Sequence, residues 1–147
     1  PGVEGRLQLV RTVNSVRIYN DNNATTPAAT VAALKALDVG NQNIILIAGG
    51  DDKDIALESL VAAISKHCKQ VVLVPGTGTD RLAPMVPEAI LVPNLTAALE
   101  EARLAAGPAD IILFSPAFAS FGQYQNEYER RIGIKVIYVE IVLYGNK

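Results

Sequence analysis

Residues 16–37 read VRIYNDNNATTPAATVAALKAL, and they predict a strand, a polar junction and a helix in direct succession. The first part, VRIYN, is rich in β-branched and aromatic residues, which is typical of a strand. The last part, TPAATVAALKAL, predicts a helix with Pro27 in its first turn and Gly40 just beyond its end. The junction between them, NDNNATT, is crowded with short polar side chains. A helix cap uses one such side chain, so we expect this junction to have a second role.

The rest of the chain continues the alternation of strands and helices. Before the junction, RLQLVRTV predicts another strand, and Asn14 with Ser15 predicts a hairpin turn. After it, NIILIAG, QVVLVPG, EAILVP and DIILFSP predict strands, whereas DIALESLVAAISKH, TDRLAPMV, LTAALEEARLAA and GQYQNEYERR predict helices. Such alternation is typical of right-handed βαβ units. We therefore expect residues 1–147 to form one Rossmann-like α/β domain, with a mostly parallel sheet, helices on both faces and an N-terminal hairpin.

The composition argues against several classes of protein. The formal net charge is −2 at neutral pH, whereas nucleic-acid-binding domains are typically basic. No apolar run approaches the roughly 20 residues of a membrane span. Cys68 is the only cysteine, which rules out an intrachain disulfide and fits a reducing compartment. We therefore expect a cytoplasmic monomer without a nucleic-acid or membrane partner.

The single histidine, His67, stands beside Cys68 near a predicted helix end. No group of Cys and His residues has the spacing of metal ligands, so we expect no metal site. A Ser–His–Asp triad is also disfavoured, because Ser115 and Ser120 follow a strand at the opposite end. We expect His67 to pack at the surface and Cys68 to make a half-buried apolar contact.

Ligands of open α/β sheets bind beyond the carboxyl ends of the strands, and four predicted strands end in small or polar residues. These ends are the junction at 20–26, GGDDKD at 49–54, PGTGTD at 75–80 and SPAFASFG at 115–122, and we expect them to lie along one edge. Simpler interpretations stay open. Asp21 and Thr25 could be helix caps, GGDDKD a solvated turn, and SPAFASFG a tight connection rather than an anion site. For PGTGTD a glycine turn is favoured, because it lacks the GxGxxG spacing and the Walker lysine.

Taken in order, four segments resemble the C-terminal domain of the Mur ligases, which are ATP-dependent enzymes of peptidoglycan precursor synthesis. They are Arg6, NDNNATT at 20–26, GGDDK at 49–53 and SPAFASFGQYQNEYERR at 115–131. Within the family they are most similar to the branch that adds D-glutamate to UDP-N-acetylmuramoyl-L-alanine. The resemblance covers residues 1–131 and implies that ATP phosphorylates the muramoyl-alanine carboxylate, after which the amine of D-glutamate attacks the acyl phosphate.

The resemblance also implies roles for individual residues. Arg6 and Asp21 would contact the ribose and phosphates of ATP. A second set would hold D-glutamate through a cation, hydroxyls, a backbone N–H group and an aromatic ring: Thr25, Lys53, Ser120, Phe121 and Tyr128. No catalytic residue or metal ligand is expected in this domain. Mg²⁺ and most of the ATP would be bound by a central ATPase domain which, like the UDP-binding domain, is absent from these 147 residues.

Several positions depart from the family pattern. Asn23 stands where Lys is frequent, Gly5 where His is frequent, and Arg131 where Gly is usual. Glu127 and Tyr128 replace the usual NFE order, so the aromatic contact would come from Tyr128 or be lost. The tail at 132–147 is rich in β-branched residues, which predicts a strand, and it has no functional interpretation.

Other functions stay open. The chain could belong to a different Mur ligase or to a folylpolyglutamate synthetase, with another amino acid as substrate. It could also be a free-standing Rossmann-like binding module. An NAD-dependent oxidoreductase is disfavoured, because no GxGxxG follows the first strand. The chain begins at Pro1 and its only methionine is Met85, so we expect it to be a piece of a longer protein that is inactive alone.

Overall fold

A computed structural model describes residues 5–119, which form one six-stranded sheet flanked by helices. The strands are β1 (Gln8–Val13), β2 (Val16–Asn20), β3 (Ile44–Ala48), β4 (Cys68–Leu73), β5 (Ile90–Leu91) and β6 (Ile111–Phe114). The helices are α1 (Pro27–Leu37), α2 (Glu58–His67), α3 (Thr77–Leu82), continued by a 3₁₀ turn (Ala83–Met85), and α4 (Leu95–Ala105). The predicted final helix at 122–131 and the predicted strand in the tail lie outside the described residues.

The strand order is β1-β2-β6-β3-β4-β5. Only the β1–β2 pair is antiparallel, and the pairs β2–β6, β6–β3, β3–β4 and β4–β5 are parallel. Asn14 and Ser15 join β1 to β2 with φ angles of 51° and 66°, the left-handed pair that a tight two-residue hairpin turn requires. The predicted fold class, the hairpin and the mostly parallel sheet are confirmed.

The core lies on both faces of the sheet. Every residue of β3 is buried, because α1 and α2 cover one face and α4 covers the other. Side chains of a strand alternate between faces, so Leu46 packs towards α1 and α2 while Ile45 and Ile47 pack towards α4. A strand covered on both faces has a continuous apolar sequence, which is why β3 could be predicted from the sequence.

The start of α2 differs from its predicted position. The sequence predicted a helix from Asp54, but α2 begins at Glu58. Asp54 has a φ of 63°, a left-handed conformation that cannot continue a right-handed helix. The residues before α2 therefore remain in the loop that follows β3, and this loop carries Lys53.

The prediction for His67 is wrong. His67 is buried rather than at the surface, and its Nδ1 lies 2.6 Å from Oδ2 of Asp38. Cys68 is also buried, more deeply than predicted, and desolvation raises the pKa of its thiol to about 12. The physical reason is that α2 ends at His67 and β4 begins at Cys68 with no loop between them. Both residues therefore stay in the interior.

Candidate functional site

Four parallel strands end side by side at one edge of the sheet. In spatial order these are β2, β6, β3 and β4, and the chain leaves them at Asp21, Ser115, Gly49 and Val74. Backbone hydrogen bonds join the segments after these ends. Gly49 N donates to Pro116 O at 3.0 Å, and Ser115 N donates to Ile47 O at 3.1 Å. The predicted convergence is confirmed, and we call this side of the sheet the ligand edge.

Asp21 is a buried anchor rather than a helix cap. Its side chain is buried, and its backbone N–H donates to Phe114 O at 2.7 Å, directly after the β2–β6 ladder. Its carboxylate accepts from Leu7 N at 3.0 Å through Oδ1 and from the Ser115 hydroxyl at 2.8 Å through Oδ2. The cap of α1 is Thr26, whose hydroxyl oxygen accepts from Ala29 N at 3.2 Å. The crowded junction therefore divides into a cap and a separate anchor.

A buried chain of hydroxyl groups continues from Asp21. Since the only hydroxyl proton of Ser115 goes to Asp21, Thr30 donates to Ser115 Oγ across 2.8 Å. Both Ser115 and Thr30 are fully buried. The chain joins the end of β2, the end of β6 and the first turns of α1. Neither hydroxyl was among the predicted site residues, although SPA directly after a strand marked Ser115 as a strand-end residue.

Opposing effects act on the Asp21 carboxyl. Burial is the largest and raises its pKa above the ordinary value, while the hydrogen bonds from Ser115 and Leu7 and the charge of Arg6 act to lower it. Arg6 itself is exposed and forms no salt bridge within residues 5–119. Its position is held by its neighbours, because Asn23 N donates to Gly5 O at 2.9 Å and Leu7 N donates to Asp21.

Arg6 and Asp21 line one groove, and their predicted role in nucleotide binding stays a prediction. The groove has a volume of about 500 Å³ and one wall made by the alanine-rich side of α1. Its lining residues are Arg6, Leu7, Asp21, Asn23, Ala24, Ala29, Ala32, Ala33 and Ala36. We call it the Arg6 groove. It presents an exposed guanidinium beside small apolar side chains.

Thr25 and Lys53 line a second, closed cleft between the β2–α1 junction and the loop after β3, with an empty volume of about 170 Å³ and no room for a separate water molecule. Its lining residues are Thr25, Pro27, Asp51, Asp52, Lys53, Ile55, Ala117 and Phe118. We call it the Lys53 cleft. Lys53 is exposed, and its ammonium makes no hydrogen bond or salt bridge to any residue of the described range. Two residues far apart in sequence therefore line the same cleft, and their role in holding D-glutamate stays a prediction.

The loop after β3 is anchored rather than a freely solvated turn. Asp51 pairs with Ala119 in an antiparallel bridge, with Asp51 N donating to Ala119 O at 2.7 Å. Its Oδ1 accepts from Thr77 N at 3.0 Å, and Asp52 N donates to Thr77 Oγ1 at 2.9 Å. Arg81 donates to Asp52 Oδ2 at 2.6 Å. Arg81 and Thr77 are a further part of the site that the sequence interpretation missed.

PGTGTD is mainly the start of α3, because residues 77–80 are helical, so the favoured glycine-turn interpretation holds only for Pro75 and Gly76. A Cβ added to Gly76 would lie 2.1 Å from Gly50 O, and one added to Gly78 would lie 2.4 Å from the Phe118 ring. Gly78 N instead donates to Gly50 O at 2.9 Å. These glycines let α3 approach the loop after β3 closely enough to hold it.

The remaining predicted residues cannot be placed. Ser120, Phe121 and Tyr128 lie outside the described residues, as do Glu127 and Arg131. SPAFASFG is described as far as Ala119, which pairs with Asp51. Within residues 5–119, no group of three or more His, Cys, Asp or Glu residues could hold a metal ion. None of the helices described there is long and apolar enough to cross a membrane.

Comparison with known proteins identifies the family. The family described as "Mur ligase, glutamate ligase domain" matches residues 5–118. The UDP-N-acetylmuramoylalanine–D-glutamate ligase of Roseiflexus sp. (strain RS-1) is 43% identical over 137 residues, which cover 88% of this chain and 29% of the relative. The ligase of the same name from Pseudomonas fluorescens (strain Pf-5) is 38% identical, over 88% of this chain and 30% of the relative. The chain thus spans less than a third of the length of these relatives.

Solved structures with low sequence identity share the fold. A domain assigned to a UDP-N-acetylmuramate:L-alanyl-gamma-D-glutamyl-meso-diaminopimelate ligase of Haemophilus ducreyi has a TM-score of 0.63 at 21% identity, covering 91% of this chain and 98% of that one. A bifunctional folylpolyglutamate synthase/dihydrofolate synthase with Mn, AMPPNP and L-glutamate bound has a TM-score of 0.66 at 15% identity, covering 93% and 32%. Because the family model matches residues 5–118 and named relatives are 38% and 43% identical over 88% of the chain, this chain belongs to the Mur ligase family, as a glutamate ligase domain.

Proposed function

We propose that this chain is the amino-acid-binding domain of an ATP-dependent ligase that adds D-glutamate to UDP-N-acetylmuramoyl-L-alanine in peptidoglycan precursor synthesis. The ligase would be a cytoplasmic monomer. Relatives that bear the name of this D-glutamate ligase are 38% and 43% identical to the chain, whereas the similarity to the folylpolyglutamate synthase is one of fold at 15% identity. The D-glutamate ligase is therefore favoured over the same domain in another ligase.

The observation that carries the proposal is the Lys53 cleft. The Lys53 ammonium is exposed at this closed cleft and has no salt bridge within residues 5–119, and Thr25 is another of the lining residues. An ammonium is suited to a carboxylate, and D-glutamate carries two. In the proposal, Lys53 pairs with one of these carboxylates and Thr25 donates to it, while Ser120, Phe121 and Tyr128 complete the contacts.

The Arg6 groove supplies the second half of the proposal. Arg6 would contact the phosphates of ATP, and Asp21 would accept a hydrogen bond from the ribose. The domain would then act by positioning and by electrostatic stabilisation, since the amine of D-glutamate must meet the acyl phosphate in the correct geometry. Binding of Mg²⁺ and of the UDP-sugar belongs, in this proposal, to the part of the ligase outside these residues.

A chimeric ligase tests the proposal. In it, this chain replaces the matching 29% of the Roseiflexus relative. We expect the chimera to consume ATP in the presence of UDP-N-acetylmuramoyl-L-alanine and D-glutamate, and to form the amide. A chimera that folds, as judged by a cooperative unfolding transition, yet forms no amide would contradict the proposed function.

Lys53→Ala in the chimera tests the role of the cleft. A charge-assisted hydrogen bond contributes about 1.5–3 kcal/mol, so we expect the KM for D-glutamate to rise about 10- to 150-fold. The KM for ATP should change far less. Arg6→Ala should show the opposite pattern, with the larger rise in the KM for ATP.

Lys66→Ala is the matched control, because Lys66 is an exposed lysine in the last turn of α2, away from the ligand edge. A KM for D-glutamate within twofold of the parent in Lys53→Ala would refute the assignment of Lys53. An equal rise for ATP and D-glutamate would refute the separation into two subsites.

A further inference from the structure

Lys53 stands among acidic residues, and this raises a question of charge. The loop reads GGDDKD, and Asp51 and Asp52 are lining residues of the Lys53 cleft together with the lysine. A free carboxylate in this cleft would compete with a substrate carboxylate for the Lys53 ammonium. It would also repel an anionic ligand. The cleft can therefore serve an acidic amino acid only if these carboxylates have other partners.

The structure provides such partners. Asp52 Oδ2 accepts from Arg81 Nη1 at 2.6 Å, and Asp52 Oδ1 accepts from Asp54 N at 2.8 Å. The same Arg81 nitrogen donates to Ile55 O at 3.2 Å, so the guanidinium spans the loop on both sides of Lys53. The pair is partly shielded, with 12% of the Asp52 side chain and 40% of the Arg81 side chain exposed.

Asp51 is diverted in a different way. Its Oδ1 accepts from the backbone N–H of Thr77, the first residue of α3. α3 is itself fixed in place by the buried side chain of Leu82 and by the close approach of Gly76 to Gly50. Both carboxylates are thus drawn towards one short helix, and Lys53 keeps an ammonium without an internal partner in the described range.

We propose that Arg81 is a positioning residue that holds the Asp52 carboxylate away from Lys53, so that the ammonium stays available for a carboxylate of the amino-acid substrate. The proposal rests on the proposed function of the Lys53 cleft. It assigns to α3 a role in specificity for acidic amino acids. The hydrogen bond from Arg81 also lowers the pKa of Asp52.

The test uses Arg81→Gln and the double variant Asp52→Asn/Arg81→Gln in the chimeric ligase. Arg81→Gln releases the Asp52 carboxylate from its charged partner, so that it can compete for the Lys53 ammonium. We expect the KM for D-glutamate to rise about three- to fivefold, the size expected for a partly exposed charge pair. The KM for ATP should stay within twofold of the parent. Removing the Asp52 charge as well should return the KM for D-glutamate to within twofold of the parent, a rescue that simple loss of loop structure would not allow.

Arg103→Gln is the matched control. Arg103 donates to Glu100 on α4 in an exposed arginine–carboxylate pair, and it lines a different pocket, beside the β1–β2 hairpin turn at Asn14. It should leave both KM values within twofold. A further alternative is that Asp52 itself binds the amine of the substrate. The single variant Asp52→Asn tests it. A severalfold rise in the KM for D-glutamate from that change alone would support the alternative and overturn the proposal.

The outcomes distinguish this inference from the proposed function. An effect of Lys53→Ala without an effect of Arg81→Gln, or without rescue in the double variant, would overturn the inference and leave the proposed function standing. No effect of Lys53→Ala on the KM for D-glutamate would overturn both. Equal rises for ATP and D-glutamate in Arg81→Gln would show a general structural role and would also overturn the inference.

Discussion

Asp21 combines burial with charge, and its partners explain how the fold tolerates it. An ionised carboxylate away from water is costly unless hydrogen bonds replace its hydration. Here Leu7 N and the Ser115 hydroxyl supply one bond to each oxygen, and Thr30 in turn donates to Ser115. Even with these partners, Asp21 still lines the Arg6 groove together with Arg6. A residue proposed to touch a ribose is thereby held rigidly by the sheet itself.

Ser115→Ala should destabilise the domain more than Thr30→Val. The first variant leaves a buried Asp21 oxygen without its donor, at a cost of about 1–3 kcal/mol in the free energy of unfolding. The second keeps that donor and nearly the same side-chain shape, so the loss should be smaller. Urea unfolding of the three proteins measures the difference. Equal losses, or a larger loss for Thr30→Val, would contradict the proposed order of donors.

At the scale of elements, Asp38 joins two helix ends at the side of the sheet opposite the ligand edge. Asp38 is the C-cap of α1, directly after Leu37. Its Oδ1 accepts from the backbone N–H groups of Gly40, Asn41 and Gln42. Its Oδ2 meets His67, the last residue of α2. The His67 contact is the largest influence on the Asp38 carboxyl and lowers its pKa to about 2. One side chain thus ties together the α1–β3 turn and the α2–β4 boundary.

This arrangement predicts a pH dependence of stability. The pKa of Asp38 is lower in the folded than in the unfolded chain, so its contribution is fully present above the unfolded value of 3.8 and is lost as the pH falls towards 2. The difference in unfolding free energy between the parent and Asp38→Asn should therefore shrink over that range. Urea unfolding at a series of pH values measures it. Glu88→Gln, an exposed carboxylate, is the control, and a constant Asp38→Asn difference would contradict the prediction.

Element boundaries show what local sequence decides. The hairpin turn and the end of α4 before Gly107 follow from short-range backbone chemistry, and both were predicted from the sequence. The sequence offered Asp21 and Thr25 as possible caps, whereas the cap of α1 is Thr26. The start of α2 was missed because Asp54 has a left-handed conformation, in a turn where Asp54 N donates to Asp52 Oδ1 at 2.8 Å. The same loop receives a long-range hydrogen bond from Arg81 to Ile55 O, which the local sequence does not show.

At the scale of the whole molecule, the chain spans 29% and 30% of the length of its two D-glutamate ligase relatives. Making an amide through an acyl phosphate requires the phosphates of ATP, the muramoyl carboxylate and the amine to be held together. Its 147 residues contain no GxxxxGK[ST] motif to hold the phosphates. In the proposed function, this domain contributes the amino-acid side of that assembly.

We therefore predict that the isolated chain neither hydrolyses ATP nor forms the amide. Purified chain with ATP, Mg²⁺, UDP-N-acetylmuramoyl-L-alanine and D-glutamate should release no phosphate above a blank without protein. The chimeric ligase under the same conditions is the positive control. Phosphate release that scales with the concentration of the isolated chain would refute the prediction.

The sequence by itself determined the α/β class, the hairpin, the buried strands and the set of strand-end residues, because periodicity, turn chemistry and caps act over a few residues. The sequence also carried the family resemblance from which Arg6, Asp21, Thr25 and Lys53 were predicted to be ligand-binding residues. Only the tertiary structure decided which of these share a cleft, since that depends on the order β2-β6-β3-β4. Long-range contacts likewise decided the burial of His67, the Ser115 bond to Asp21 and the Arg81 bond to Asp52, because each joins side chains that no sequence spacing relates.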